Sequence, residues 1–200
     1  SFYNQTGETA ILPTPTIGVL GVIDDVGTRI PVAFANPGDE IWLLGETREE
    51  LAGSVWADVM HDGHLGGTPP QVDFDHEKRL AATLHAAATG RVLRSAHDLA
   101  DGGLAQALVE SCLRQGFGAT VDLGQSDPTV ALFSESTGRV LVSLEELRRL
   151  AAENRVPVRR LGVVAEDGTG AALRVGKLLD VPLTEVHRAW SATLPDAMHA

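Results

Sequence analysis

Ser95-Ala96-His97-Asp98-Leu99-Ala100-Asp101-Gly102-Gly103-Leu104-Ala105 joins a short apolar segment, Val92-Leu93, to a run of helical spacing that begins near Leu104. Two carboxylates, an imidazole and a glycine pair are crowded into the turn between a strand and a helix. Paired glycines let backbone approach backbone or a ligand closely. A helix N-terminus gathers free N–H groups and favours negative charge. Aspartates at that place would repel a bare phosphate, but they can help hold a metal-bound one. The structural alternative is that one Asp caps the helix and Gly102-Gly103 is a tight turn.

Outward from this stretch the pattern alternates. Glu40 to Gly45 reads as a short strand after the Pro37-Gly38-Asp39 turn. Thr47 is placed to cap a helix running to about Met60, with Glu50 completing a capping box. Residues 61–70 read as loop, ending Pro69-Pro70. Asp75 opens a helix whose Leu80, Leu84 and Ala87 or Ala88 share a face. Leu104, Leu108 and Cys112 or Val109 form the core stripe of the helix after the central motif. Strands are expected near 118–123, 138–143 and 158–164, and helices near 128–134, 144–154 and 184–191. Several connections are too short for parallel crossovers. The expected class is therefore α/β, a mixed sheet with helices packed on it.

Residues 37–200 read as one complete domain and residues 1–36 as the end of another plus a linker. Ser1-Phe2-Tyr3-Asn4 and Ile17-Gly18-Val19-Leu20-Gly21-Val22-Ile23 are strand candidates without further partners in that segment.

Composition narrows the function. The chain has 200 residues, 44% of them hydrophobic, enough to bury a core. Sixteen basic against 27 acidic residues give a net charge of −11, which argues against a general nucleic-acid binder or an anionic membrane partner. One cysteine, Cys112, excludes an internal disulfide framework. With no apolar run of spanning length and no signal peptide, a cytoplasmic protein is the default.

Other motifs weigh towards structure. Cys112 lies on an apolar stripe, which suits packing better than nucleophilic catalysis. His61-Asp62-Gly63-His64 has a metal-binding spacing only on a helix, and Gly63 argues for a loop. Gly170 to Gly176-Lys177 departs from a phosphate loop in spacing and carries Leu178 where Ser or Thr would meet Mg²⁺. Glu135, Ser136 and Arg139 occupy a turn before the strand at 138–143; the structural reading there is Arg139 paired with a carboxylate.

Longer words carry a resemblance. Ser1-Phe2-Tyr3-Asn4-Gln5-Thr6, Ile11-Leu12-Pro13-Thr14-Pro15-Thr16-Ile17-Gly18-Val19-Leu20-Gly21, Leu43-Leu44-Gly45-Glu46-Thr47, Leu65-Gly66-Gly67-Thr68-Pro69-Pro70, the central motif, and Leu132-Phe133-Ser134-Glu135-Ser136-Thr137-Gly138-Arg139 stand in family order. Together they resemble the C-terminal part of the phosphoribosylformylglycinamidine synthase family, in the synthetase subunit of the small bacterial type. The implied fold is that of the aminoimidazole ribonucleotide synthetase superfamily: a C-terminal-like domain at 37–200, preceded by the end of an N-terminal-like domain at 1–36.

The resemblance also implies a chemistry. The family converts formylglycinamide ribonucleotide to its amidine with ATP, Mg²⁺ and glutamine-derived ammonia. Its partners are a glutaminase subunit and a small accessory subunit, besides upstream domains of the same polypeptide. The family's catalytic histidine and principal metal ligands lie in those upstream domains, so His97 is not that histidine, no catalytic residue and no metal ligand is assigned here, and the chain alone is expected to be inactive. Ser1 aligns with a family serine that contacts substrate. His97, Asp98, Asp101, Gly102, Gly103, Glu135, Ser136 and Arg139 remain candidates for a nucleotide site or a structural motif. Two readings stand: part of an ATP-dependent carbon–nitrogen ligase, or a catalytically silent structural or auxiliary nucleotide-binding module of it.

Overall fold

The computed structural model describes the chain apart from residues 1–3, 12–14, 64–65, 145–147, 169 and 200, and gives backbone alone for 144, 148–150, 193–197 and 199. Ser1, Phe2, Tyr3 and His64 therefore lie outside the described residues.

A minimal hairpin, β1 (Gln5–Thr6) with β2 (Thr9–Ala10), comes first, and a single 3₁₀ turn at Val26–Thr28 follows. The expected strand at Ile17–Ile23 does not form: Ile17 is 81% exposed, Val19 91% and Leu20 95%. Strand character needs a hydrogen-bonding neighbour as well as alternating apolar residues, and among the described residues none lies beside this segment.

The packed body contains β3 (Glu40–Leu44), α1 (Val55–Met60), α2 (Phe74–Thr89), β4 (Leu93–Asp98), α3 (Gly103–Leu113), β5 (Ala119–Val121), α4 (Pro128–Phe133), β6 (Val140–Leu144), α5 (Arg148–Glu153), β7 (Val158–Val164), β8 (Ala172–Val175), β9 (Leu179–Pro182) and α6 (Leu183–His199). The strands form one seven-stranded sheet in the order β4-β6-β3-β7-β5-β8-β9. All pairings are antiparallel except β5 with β8. This is the mixed sheet that the short connections imply.

Helices cover both faces. Along β3, Ile41 and Leu43 pack with Leu104 and Leu108 of α3 and Leu132 of α4. Trp42 and Leu44 point the other way, to Leu80 and Ala87 of α2 and Ala151 of α5. A strand buried on both sides reads as a continuous apolar run, and Ile41-Trp42-Leu43-Leu44 is one. The body also recruits residues ahead of Pro37. Phe34 is fully buried in the α3 face, its N–H donating to the Ser111 carbonyl at 3.0 Å.

Three local expectations change. The helix ending at Met60 starts at Val55, capped by Ser54, whose Oγ accepts from the Ala57 N–H at 3.1 Å; Thr47 caps nothing. Strand β4 runs on through His97 and Asp98, so only Leu99–Gly102 form the turn. The third change is an addition: residues 172–182, to which the sequence assigns no element, form the β8–β9 hairpin. Cys112 is buried, and burial pushes its thiol up to about 12. Among the described residues, no helix is long and apolar enough to cross a membrane.

Candidate functional site

The turn after α4, Ser134–Arg139, is the organising element. Ser134 and Ser136 are fully buried, and Arg139 is 2% exposed. Both hydroxyls face the segment that follows β3. The Ser134 Oγ accepts from the Glu50 N–H at 3.1 Å and donates to the Arg48 carbonyl at 2.6 Å. The Ser136 Oγ accepts from the Arg48 N–H at 3.0 Å. These bonds draw Arg48 and Glu50 out of any helix, which is why the Thr47–Glu50 capping box fails. Thr47 instead presents its Oγ1 to the Arg139 guanidinium at 3.1 Å.

Arg139 folds back over its own turn. Its Nε donates to the Ser136 carbonyl at 2.8 Å, and its Nη2 to the Ser134 carbonyl. The expected carboxylate partner is replaced by two carbonyls and a hydroxyl, a planar donor fork serving three oxygens. Burial pulls the guanidinium down to about 10, so it stays charged at neutral pH.

Glu50 anchors the rim. Its carboxylate accepts from the Gln71 N–H at 2.9 Å and from Arg48 Nε at 3.1 Å. Burial alone would raise its pKa. Hydrogen bonding by the Ser136 hydroxyl, the Gln71 amide and Arg48 outweighs that and holds it below the usual range. Thr137 donates to the Gln71 carbonyl at 2.8 Å, and the His76 ring meets the Gly138 carbonyl at 2.8 Å. Three stretches of chain, Thr47–Glu50, Gln71 and His76, are thus tied to one turn.

Glu135 completes the cluster. Its Oε1 accepts the N–H of Gly102, at the start of α3, at 2.8 Å. The same oxygen accepts the N–H of Val55, at the start of α1, at 2.9 Å. The α3 helix has no side-chain cap of its own from Gly102, and Asp101 is exposed. The capping carboxylate expected from Asp98 or Asp101 is supplied 33 residues away in sequence. Gly103 has φ +62°, and a Cβ there would stand 2.6 Å from the Ser134 carbonyl. The glycine pair therefore serves backbone-to-backbone approach between the α3 start and this turn.

His97 belongs to a neighbouring arrangement. Its Nδ1 lies 2.7 Å from the Asp98 carbonyl, and its Nε2 3.0 Å from Glu110 of α3. Hydrogen bonds first from Gln106 and then from His97 hold the Glu110 carboxyl below its usual range. The Asp98 side chain is 77% exposed.

The structure therefore gathers Gly102, Gly103, Glu135, Ser136 and Arg139, sets His97 beside them, and leaves Asp98 and Asp101 facing solvent. Sequence reasoning missed Arg48, Glu50, Gln71, Ser134 and His76; the words Leu43–Thr47 and Leu132–Arg139 bracketed this region without pairing those residues. The Gly102 amide at the start of α3 already holds Glu135. Among the described residues no group of three His, Cys, Asp or Glu is close enough to hold a metal. The hydrogen bonds of this cluster run between its own residues, which gives it the chemistry of a polar clamp. Between α1 and α3 lies an apolar cleft of about 400 Å³, lined by Trp56, Val59, Met60, Ala105 and Val109 among others.

The pattern that describes the AIR synthase related protein, C-terminal domain, matches residues 36–174. The chain is 51% identical over 203 residues to the phosphoribosylformylglycinamidine synthase subunit PurL of Cutibacterium acnes, covering 99% of this chain and 27% of that protein. It is 54% identical over 201 residues to the subunit of the same name from Thermobifida fusca, covering 98% of this chain and 26% of that protein. The chain spans about a quarter of the length of these relatives. Among solved structures, Thermotoga maritima PurL complexed with FGAR superposes with a TM-score of 0.68 at 19% identity, over 80% of this chain and 30% of that one. A thiamine-monophosphate kinase from Stenotrophomonas maltophilia gives 0.51 at 23% identity, over 75% of this chain and 54% of that one. At such identities the solved structures speak for the fold.

Proposed function

The chain belongs to the AIR synthase related protein family, as its C-terminal domain, and on that premise we propose that it is the C-terminal part of the ATP-dependent ligase that aminates formylglycinamide ribonucleotide in purine biosynthesis. In this reading residues 37–200 are the C-terminal-like domain and residues 1–36 the end of the preceding one. The working enzyme is cytoplasmic, uses ATP with Mg²⁺, and takes ammonia from a glutaminase subunit beside a small accessory subunit. Relatives named for that synthase subunit match 98–99% of this chain at about half identity, which supports the assignment.

Within the ligase, the cluster around Ser134–Arg139 serves as scaffold. One observation carries this: the Glu135 carboxylate fills the amides of Gly102 and Val55, where a nucleotide phosphate would otherwise bind. A helix N-terminus already holding an internal anion offers little to an external one. Kinetics in the complete synthetase test the reading. Asp98→Asn and Asp101→Asn leave KM for ATP within twofold, and Glu135→Gln lowers the melting temperature without raising that KM. A tenfold rise in KM at unchanged melting would place nucleotide in this cluster. The 200-residue chain alone, with ATP, formylglycinamide ribonucleotide and ammonium salt, is expected to release no substrate-dependent ADP.

A further inference from the structure

The sequence holds three Asp-Gly pairs: Asp62-Gly63, Asp101-Gly102 and Asp167-Gly168. In such a pair the aspartyl carboxyl stands beside the next backbone nitrogen, and glycine has no Cβ to hinder their approach. The nitrogen closes on the carboxyl carbon readily only when its N–H is not committed to another acceptor and the backbone is able to turn. The tertiary structure treats the three pairs differently.

Two of them are pinned. The Gly63 N–H donates to the Asp58 carbonyl at 2.9 Å, and Asp62 is itself held at φ +51°. The Gly102 N–H donates to the Glu135 carboxylate at 2.8 Å, inside the clamp around Ser134–Arg139. A committed amide must first break its bond, which slows any reaction at its nitrogen. Asp167-Gly168 stands apart, in the connection between β7 and β8. Both residues are exposed. Among the described residues nothing accepts the Gly168 N–H, and a Cβ at Gly168 would meet no atom within 4 Å. An open cleft of about 580 Å³ borders the pair, lined also by Ala165, Glu166, Gly170 and Arg174. Water therefore reaches both residues.

We propose that Asp167-Gly168 is a site of spontaneous backbone isomerisation, and that the fold protects the other two pairs from it. The Gly168 nitrogen attacks the Asp167 Cγ. An N–Cγ bond forms, the N–H proton passes to solvent, and one carboxyl oxygen leaves as water. Water then opens the five-membered imide at either carbonyl, which returns aspartate or gives isoaspartate with no net change in atoms. The isoaspartyl product carries one extra methylene carbon in the main chain. It does so in a turn where the Ala171 N–H donates to the Gly168 carbonyl at 3.0 Å, one residue ahead of β8. A carboxylate displayed in this way is the substrate class of a carboxyl methyltransferase that reads isoaspartyl residues. The pair plays no part in the ligase reading, and its modification goes beyond it.

Ageing the full 200-residue chain in warm neutral buffer tests this, with the same chain unfolded in guanidinium chloride aged beside it. Peptide mass spectrometry that separates aspartyl from isoaspartyl backbones reads each pair, and methyl transfer from S-adenosylmethionine by an isoaspartyl methyltransferase counts the total. In the folded chain isoaspartate is expected at Asp167 at least fivefold faster than at Asp62 or Asp101. In the unfolded chain the three rates converge to within twofold. Asp167→Asn raises the rate at this position at least fivefold, because a neutral amide is attacked more readily than a carboxylate. Folded-chain rates within fivefold of one another, or a faster site at Asp62 or Asp101, overturn the proposal. So does an unfolded chain that keeps the folded chain's spacing of rates, since the sequence alone would then set the difference, or an Asp167→Asn chain that forms no more isoaspartate. Because these measurements need no turnover, their failure leaves the ligase assignment untouched.

Discussion

Glu135 and Gly102, 33 residues apart in sequence, are joined by a carboxylate-to-amide hydrogen bond of 2.8 Å that caps α3 from across the domain. The same oxygen caps α1 through Val55 at 2.9 Å. One side chain thus sets the approach of two helices that flank an apolar cleft. A hydrogen bond to a charged acceptor is worth roughly 1.5–3 kcal/mol, and less where solvent reaches it.

Glu135→Ala is expected to cost about 1–3 kcal/mol, with Glu135→Gln retaining part of this because its amide oxygen still accepts. Asp101→Ala should stay within about 0.5 kcal/mol, since Asp101 is exposed and caps nothing. Urea midpoints of the three variants check both. A larger loss at Asp101 than at Glu135 would return the cap to the central motif.

Gly103 and Gly116 separate conformational strain from crowding. Both have positive φ, +62° and +78°. A Cβ at Gly103 would meet the Ser134 carbonyl at 2.6 Å and the Leu132 carbonyl at 2.8 Å, whereas nothing stands within 4 Å at Gly116. Gly116→Ala is expected to cost about 1 kcal/mol, from the left-handed conformation alone. Gly103→Ala should exceed it by at least about 1 kcal/mol, because backbone must move. Thermal melts of the pair decide this.

Acid sensitivity should pass through Glu50. Its folded pKa is held below the ordinary 4.5, so its contribution is present above that value and is lost as pH falls through the lowered one. Glu110 shifts in the same direction. Stability is therefore expected to fall as pH drops below about 4.5, and the Glu50→Gln variant to fall less over that window. Urea titrations at several pH values measure the difference. An identical acid limb in the variant would show that Glu50 is not coupled to folding.

Truncation should locate the edge of the packed body. Removing residues 1–29 takes away exposed apolar chain such as Val19 and Leu20 and is expected to reduce self-association with a cooperative melt retained. Removing residues 1–36 also takes Phe34 out of the core, at a cost of about 3–5 kcal/mol. Sedimentation and melting of both chains give the comparison. Equal stability would mean that Phe34 contributes nothing to the core.

Much of the architecture was legible because it rests on local periodicity. The apolar run within Glu40–Gly45 declared a strand, and Leu104, Leu108 and Cys112 a helix facing the core. Asp73 caps α2 two residues before the expected start at Asp75, an error of boundary alone. The strand expected at Ile17–Ile23 failed for the opposite reason: alternation is local, but a strand exists only with a neighbour to bond.

The sequence by itself determined the helices with clear apolar stripes, the mixed class of the sheet and, through long words in order, the family. Only the tertiary structure decided what the polar residues of those words do. Thr47 has the chemistry of a cap and Asp101 the position of one, yet Arg139 takes the first and solvent the second. Ser54 and Glu135 cap instead. Apolar periodicity is written within a single helix or strand, so it survives in the sequence. A carboxylate's choice among backbone amides depends on which amides the folded chain leaves unpaired beside it, and those lie 33 and 80 residues from Glu135.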